Sequence, residues 1–326
     1  MLSLAPIFSS HAVIQRNQPV ILYGEAKGNV TASFLGETLM ANADGYFELV
    51  FSAHEAGGPY EMTVTCEGEE VTLVDLYVGD VFLMSGQSNM QLKAAETSDF
   101  EGTAENDDLA RVFHAPRLEC ADPFDNKWQS MAVETAGNWS AIAYYLAKML
   151  RRERGIAIGM VCAYQGAAVI QSFMTPENGL RFTFKPEERH PDHDYELYKS
   201  WNPPAKIYET MLKAIFPFQV SAVVWYQGES NTSIKEGEVY ADMLDTLIAE
   251  WRGFYRLPAL PFTVIQINNF IYPFNEEGWK LVQKAEETVA ERTPFVKLVK
   301  ISDMGQYDLI HPVNKLAVAE RVMKTL

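Results

Sequence analysis

Cysteine is scarce in this chain of 326 residues. The three cysteines, Cys66, Cys120 and Cys162, lie far apart in the sequence and cannot all pair. Disulfide scaffolds need an even set of cysteines, and zinc sites need ligands a few residues apart. The spacing therefore predicts reduced structural thiols, with no disulfide framework and no metal site.

Basic residues are also in short supply. The chain has 27 lysines and arginines against 43 aspartates and glutamates, which gives a formal charge of −16 at pH 7. Nucleic acids and anionic membrane surfaces both bind basic faces. The charge therefore argues against either of them as a partner.

Long apolar runs are missing as well, and none is long enough to cross a membrane. The start, Met-Leu-Ser-Leu-Ala-Pro, lacks the basic region and the continuous apolar run of a signal peptide. We therefore expect a cytoplasmic location, although a chain from which a leader had been removed would look the same. A hydrophobic content of 48% without a low-complexity tract predicts a folded globular protein.

Residues 1–75 have the pattern of an antiparallel β domain. Short β-branched or aromatic segments alternate with turn-forming tetrads, and no good helix signal precedes Gly86. The segments are Val20–Tyr23, Val30–Leu35, Tyr46–Phe51 and Tyr60–Thr65, and the tetrads are 26–29, 42–45 and 56–59. The spacing predicts a small β-sandwich domain over 1–75.

From residue 76 to 326 the pattern changes to alternating strands and helices, which predicts an α/β domain with a parallel sheet covered on both faces. Five strands are predicted: Val81–Met84, Ile156–Ala163, Val220–Tyr226, Phe262–Ile267 and Phe295–Ile301. The predicted helices are Trp139–Arg154 with Asn138 as its N-cap, Pro203–Phe216, one that contains Tyr240–Trp251, Glu276–Arg292, and a last helix from Pro312. Residues 175–202 do not fit this alternation of strands and helices, and we expect them to form a long loop near the site.

The strand Val81–Met84 ends at Ser85-Gly86-Gln87-Ser88-Asn89, which suits a tight turn. Ligands collect at the carboxyl edge of a parallel sheet, so Ser88 is the candidate nucleophile. The alternative is a structural role, in which the serine caps a helix. The spacing is not the G-x-S-x-G elbow, because Met90 stands where the second glycine would be.

Asp308-Leu-Ile-His311 places an acid and an imidazole three residues apart near the other end of the chain. His311 is the candidate general base, and Asp308 is the candidate acid that orients it. A serine, an acid and a histidine are the components of an acyl-transfer triad. Asp308 could instead cap the last helix, and Asp303 is a rival acid in the same loop.

Three blocks resemble the SGNH-hydrolase superfamily and, within it, the sialate O-acetylesterase family of carbohydrate esterases. They are Gly86–Met90, Trp225–Asn231 and Asp308–Pro312, and Val13–Arg16 with Gly57–Tyr60 extend the resemblance to the amino-terminal segment. The resemblance implies a flavodoxin-like three-layer fold behind the β domain. It also implies a serine esterase, without a cofactor, that removes acetyl groups from sugars through an acyl-enzyme on Ser88.

The same resemblance implies the groups that hold the oxyanion. They are the N–H groups of Ser88 and Gly166 and a side-chain amide, for which Gln227 is the first candidate and Asn231 the alternative. Gln87, Asn89, Glu229 and Asn231 are possible supporting residues. The chain has Tyr164-Gln165-Gly166 where the family usually shows Trp-Gly-Gly, and this departure affects the expected shape of the pocket wall.

Other interpretations of these residues stay open at this point. Glu229 suggests a two-carboxylate glycosidase, but a buried hydrogen-bonding role is favoured. The segment His190–Asp194 has metal-ligand spacing, but it lies among charged residues without a helix pattern, so a solvated loop is favoured. Trp201, Trp225 and Tyr226 suit either a sugar platform or the core. A carbohydrate-binding protein with an idle serine is the remaining alternative.

The sugar is predicted from the family resemblance and from the charge of the chain. Sialate O-acetyl groups are the substrate that the resemblance implies, and acetylated xylan or mannan fragments are the rival. A sialate carboxylate would need a local cation such as a guanidinium, because the chain as a whole repels anions. Arg117, Arg181 and Arg189 are the candidates.

Overall fold

Twelve strands form one mixed sheet in a computed structural model of the chain, which describes residues 1–118, 125–270, 276–304 and 309–326. The strands are Leu2–Leu4 (β1), Val13–Gln15 (β2), Val20–Phe34 (β3), Glu37–Phe51 (β4), Gly57–Cys66 (β5), Glu69–Gly86 (β6), Asp107–His114 (β7), Trp128–Met131 (β8), Ile158–Tyr164 (β9), Ala222–Tyr226 (β10), Phe262–Ile265 (β11) and Val296–Val299 (β12). The α-helices are Ser88–Gln91 (α1), Ala141–Arg154 (α2), Pro176–Arg181 (α3), Ile234–Tyr255 (α4), Glu276–Arg292 (α5) and Lys315–Met323 (α6). The protein is thus a mixed α/β fold.

The long strand β6 joins the two halves of the sheet. Its first part pairs antiparallel with β5, and its last part pairs in parallel with β9 on one side and β10 on the other. Because this strand runs through residue 75 without a break, the domain division at that residue stays a prediction.

The strands β3 and β4 form one long hairpin, which corrects the predicted series of short strands. The tetrads 26–29 and 42–45 were expected to be turns, but they face each other inside the hairpin, with Ala26 opposite Gly45 and Asn29 opposite Asn42. Pairing along the ladder overrides the local turn preference of these glycines and asparagines. The sandwich arrangement of this part stays a prediction.

The carboxyl-terminal part of the sheet has the order β7-β9-β6-β10-β11-β12, and neighbouring strands in this series are parallel. The five predicted strands all lie in it. The sequence reasoning missed β7, and also β8, which pairs antiparallel with β7. The charged residues in Asp107–His114 hide the apolar pattern of that strand.

Helices cover both faces of this part of the sheet. Val81 and Leu83 of β6 pack into one apolar core with α4 and α5, while Phe82 and Met84 pack into another with α2 and α6. This alternation follows from the two-residue period of a strand. No described helix has the length and apolar character that a membrane span requires.

Three helix predictions are corrected. The Ser140 side chain, not that of Asn138, accepts the capping hydrogen bond of α2, while Gly155 ends that helix as expected. The last helix, α6, is capped by Asn314 rather than started by Pro312. In place of a regular helix over 203–216, Tyr208–Leu212 form a π-helical turn.

The three cysteines differ in what the structure describes of them. Cys66 and Cys162 are buried free thiols. Cys120 lies outside the described residues.

Candidate active site

Ser88 stands at the carboxyl edge of the sheet because β6 ends in a turn that only glycine allows. Gly86 has φ of +137°, and a Cβ at this position would lie 2.0 Å from the carbonyl oxygen of Tyr226. The next N–H, that of Gln87, donates to the same carbonyl oxygen at 2.9 Å. Ser88 then begins α1, the short helix in which Asn89 and Met90 are buried.

His311 lies beside Ser88, and its Nε2 is 2.8 Å from Ser88 Oγ. The two residues are 223 positions apart in the sequence, so the fold alone brings them together. Partial burial lowers the pKa of His311 below its ordinary 6.5, the positive charge of Lys315 lowers it further, and Glu96 opposes both effects. The environment therefore favours the neutral imidazole, which is the form that can accept a proton.

The acid partner of His311 stays a prediction, because Asp308 lies outside the described residues. The rival Asp303 has a different partner: both of its carboxylate oxygens accept hydrogen bonds from Arg321, at 2.7 and 2.6 Å. These bonds lower the pKa of Asp303. The carboxylate of Asp303 is therefore paired with an arginine of α6.

A cleft of about 410 Å³ contains both Ser88 and His311. Gly166 and Glu229 contribute to its lining, and Asp192 adds a second carboxylate. None of the described residues that line it is an arginine or a lysine. The undescribed segments 119–124, 271–275 and 305–308 also contain neither residue in their sequence.

Gly166 follows β9 and reaches the cleft next to Ser88, since a Cβ built on it would lie 3.9 Å from Ser88 Cβ. Its N–H donates to the side-chain oxygen of Gln91 at 2.7 Å. The predicted oxyanion donor thus already has an acceptor in this structure, supplied by the last residue of α1.

Gln227 and Asn231 do not line the cleft and are completely buried. The amide nitrogen of Gln227 donates to the carbonyl oxygen of Ala168 at 3.0 Å and to Asn231 Oδ1 at 2.8 Å. The amide nitrogen of Asn231 donates to Gln171 and Glu236, at 2.9 and 2.8 Å. Both amides therefore use their N–H groups to join the segments behind the cleft wall.

The other three supporting candidates connect the serine turn to its neighbours. The side-chain oxygen of Gln87 accepts from the N–H groups of Gly228 and Ser230, at 3.2 and 3.3 Å. Asn89 Nδ2 donates to Glu229 Oε1 at 2.6 Å. Burial raises the pKa of Glu229, and its Oε2 has no hydrogen-bond partner among the described residues.

Lys315 is a buried residue of the site that sequence reasoning missed. Its Nζ donates to Asn89 Oδ1 at 2.6 Å and lies 5.2 Å from the centroid of the Tyr226 ring. Burial lowers the pKa of Lys315 to about 7, while Glu229 acts in the opposite direction. No sequence signal marks a lone lysine at a helix start as buried, so only the structure could reveal it.

The segment His190–Asp194 is not the solvated loop that was favoured. The His193 ring lies against the buried Glu236 of α4, with Nε2 and Oε1 2.6 Å apart, and the N–H of His190 donates to the same carboxylate at 2.6 Å. Asp192 accepts a hydrogen bond from Ser230 Oγ at 2.6 Å. The buried carboxylate of Glu236 thus holds this segment as a wall of the cleft. Among the described residues, no group of three histidine, cysteine or acidic side chains could hold a metal ion.

None of the three aromatic residues left open between a sugar platform and the core, and none of the three candidate arginines, is among the described residues that line the cleft. Trp201, Trp225 and Tyr226 are all buried in the core. Among the three candidate arginines, Arg189 pairs with Asp194 at 2.5 Å, Arg181 lies over the Phe182 ring, and Arg117 borders a separate small cavity.

A hydrogen-bonded serine and histidine at the carboxyl edge of a sheet covered by helices are typical of serine hydrolases. The family model described as carbohydrate esterase, sialic acid-specific acetylesterase, matches residues 78–319. Because this match covers more than half of the chain, the protein belongs to that family.

Solved and curated proteins agree with this membership. The chain is similar to the crystal structure of XAC1771, a novel carbohydrate acetylesterase from Xanthomonas citri, with a TM-score of 0.85 and 27% identity over 100% of this chain and 74% of that one. It is 25% identical to the sialate O-acetylesterase of Rattus norvegicus over 84% of this chain, and 24% identical to that of Homo sapiens over 87%. It spans 61% and 60% of the length of these two relatives.

Proposed function

We propose that this protein hydrolyses O-acetyl esters on sugars through an acyl-enzyme on Ser88. The observation that carries the proposal is the 2.8 Å contact between Ser88 Oγ and His311 Nε2 inside the cleft. The membership in a carbohydrate esterase family supports the ester bond and the sugar.

The chemistry follows from the two side chains. Ser88 Oγ attacks the acetyl carbonyl while His311 Nε2 takes the serine proton. The tetrahedral intermediate collapses, His311 returns the proton to the sugar oxygen, and the sugar leaves as an alcohol. Water, activated by His311 in the same way, then attacks acetyl-Ser88, releases acetate and restores the serine.

The proposed oxyanion donors are two backbone N–H groups and a side-chain amide. The Ser88 N–H lies in the first turn of α1, where N–H groups have no acceptor within the helix. For the Gly166 N–H to hold the oxyanion, the Gln91 side chain that now accepts from it has to turn away. A side-chain amide as third donor stays a prediction. In the described geometry the N–H groups of the Gln227 and Asn231 amides already donate to other acceptors.

For the sugar, the charge of the cleft favours a neutral acetylated saccharide over a sialate. The described lining carries two carboxyl groups, Asp192 and Glu229, and neither an arginine nor a lysine. A sialate would bring its own carboxylate into this cleft without a guanidinium to hold it. Acetylated xylo- or manno-oligosaccharides carry no such charge.

The test is acetate release by the purified chain from acetylated xylo- and manno-oligosaccharides and from O-acetylated sialic acid. Wild type should release acetate without cleaving glycosidic bonds, and Ser88→Ala should retain at most about 10³- to 10⁴-fold acceleration over water. Activity of Ser88→Ala within tenfold of wild type would remove the serine mechanism. Sugar binding without turnover by wild type would instead indicate a carbohydrate-binding protein.

A further inference from the structure

Ser88 and His311 lie on two separate segments, and a buried lysine connects them. Lys315 Nζ donates to Asn89 Oδ1 at 2.6 Å, and Asn89 directly follows Ser88. Asn89 Nδ2 donates to the carbonyl oxygen of Ile310, the residue before His311, at 3.0 Å. We propose that Lys315 is a positioning residue which, through Asn89, fixes the serine turn against the histidine segment. This inference rests on the proposed esterase function.

Lys315 determines which way the Asn89 amide points. The two ends of an amide have nearly the same shape, so the hydrogen-bond partners decide its orientation. In its charged form Lys315 can only donate, which requires the oxygen of Asn89 on its side. The nitrogen then faces two acceptors, Glu229 Oε1 at 2.6 Å and the Ile310 carbonyl at 3.0 Å.

Packing alone does not account for an amine at this place. Lys315 has no exposed surface, and burial of an amine costs free energy unless it has partners. An apolar side chain of similar length would fill the same space without that cost. What an apolar side chain would lack is the donated hydrogen bond to Asn89 and the charge near His311.

Because Lys315 is charged, the proposal can also be tested through the pKa of His311, which a purely structural role of the lysine would not change. Glu229 and His311 interact electrostatically with Lys315, whose Nζ lies over the Tyr226 ring, and Glu96 acts on the pKa of His311 with the opposite sign. A cation near an imidazole disfavours the imidazolium, so loss of Lys315 should raise the pKa of His311. Because the pKa of Lys315 is about 7, the amine is charged over the range in which His311 titrates.

The test replaces Lys315 with methionine and measures kcat, KM and the pH dependence of kcat/KM. Displacement of a reacting group by about 1 Å costs about 100-fold, so kcat should fall by about 10- to 100-fold while KM changes by less than about threefold. The acid limb should move to higher pH by about half a unit or more. Titration of reactive Ser88 with a fluorophosphonate gives the concentration of folded sites, and kcat is calculated on that basis. Lys280→Met, at an exposed lysine of α5, is the matched control and should change none of these values.

A second variant separates the connection from the charge. Asn89→Ser removes the hydrogen bonds from Lys315 to Asn89 and from Asn89 to the Ile310 carbonyl but keeps the lysine. We therefore expect kcat to fall about as much as in Lys315→Met, while the acid limb of kcat/KM stays in place. In the double variant the two losses should not multiply, because both act through one hydrogen bond.

A Lys315→Met protein with kcat within twofold of wild type and an unmoved acid limb would overturn the proposal. If that variant does not fold, an unchanged kcat in Asn89→Ser overturns it instead. Either result would leave the esterase function intact. Activity of Ser88→Ala within tenfold of wild type would instead remove the serine mechanism, and wild type that releases no acetate would overturn the function itself.

Discussion

Replacement of Asp192 with asparagine removes one negative charge from the wall of the cleft at nearly constant volume. Asp192 lines the same cavity as Ser88 and His311. If the cleft discriminates against sialates by charge, Asp192→Asn should raise kcat/KM for O-acetylated sialic acid and leave the value for a neutral acetylated saccharide nearly unchanged.

The magnitude follows from the size of the cleft, whose volume is about 410 Å³. A sphere of that volume is about 9 Å across, so a bound carboxylate lies within roughly 8 Å of Asp192. At an effective dielectric constant of about 20, two unit charges at that distance repel by about 2 kcal/mol, or about 30-fold in kcat/KM. A dielectric constant of about 40, suited to a more solvated position, reduces this to about sixfold.

The assay compares kcat/KM for the two substrates in wild type and Asp192→Asn at low and high salt. The ratio of sialate to neutral substrate should rise by about 6- to 30-fold at low salt and by less at high salt. Glu196→Gln is the control, because Glu196 is an exposed acid four residues after Asp192 and is paired with Lys199. An unchanged ratio in Asp192→Asn, or wild type that prefers sialate strongly, would refute the argument from charge.

Three further predictions concern the catalytic groups and the turn below them. Activity should rise through a pKa below 6.5 as His311 loses its proton, because burial and Lys315 lower that pKa; an acid limb above about 7 in kcat/KM would contradict this. Asp308→Asn should lower kcat by up to about 10⁴-fold, while Asp303→Asn, which disrupts only the pair with Arg321, should change kcat by less than about threefold; the reverse order in steady-state assays would make Asp303 the acid. Gly86→Ala should lower the free energy of unfolding in urea by about 2–5 kcal/mol through strain and a clash with the carbonyl of Tyr226; Gly45→Ala, at φ of +115° in open space, is the control and should cost clearly less.

Motifs in the sequence were sufficient to select Ser88 and His311, which the structure brings to 2.8 Å of each other. Each stands next to a recognisable local signal, a strand end for Ser88 and the Asp-Leu-Ile-His spacing for His311. The helices α4 and α5 could be predicted for a similar reason, since apolar residues at helical spacing report one buried face.

Features that depend on distant partners could not be predicted in this way. Gln227, with Asn231 as the alternative, stays the predicted oxyanion amide. The hydrogen bonds of these two side chains to Ala168, Gln171 and Glu236 could not be predicted, because only the fold brings those partners near. His193 appeared exposed because its surroundings in sequence are charged, while its partner Glu236 lies 43 residues away.

The local turn preference of glycine gave a wrong prediction where strand pairing outweighed it. Gly28 and Gly45 both have positive φ, as turn residues do, yet both lie inside paired strands of the β3–β4 hairpin. The two tetrads pair with each other, and the register continues through them without a shift. A sequence window of four residues contains no information about such a partner.

The central claim is that Ser88 carries the acetyl group during turnover, and the most direct measurement is to trap that group. Wild type mixed with an acetylated sugar is quenched with acid on the millisecond scale, digested and analysed by mass spectrometry. An acetyl group should be found on Ser88 in the peptide that contains Gly86-Gln87-Ser88-Asn89-Met90, and it should be absent when Ser88→Ala is treated in the same way. Rapid acetate release from wild type with no acetyl group on Ser88 at any quench time, or with acetyl on another residue, would contradict the account.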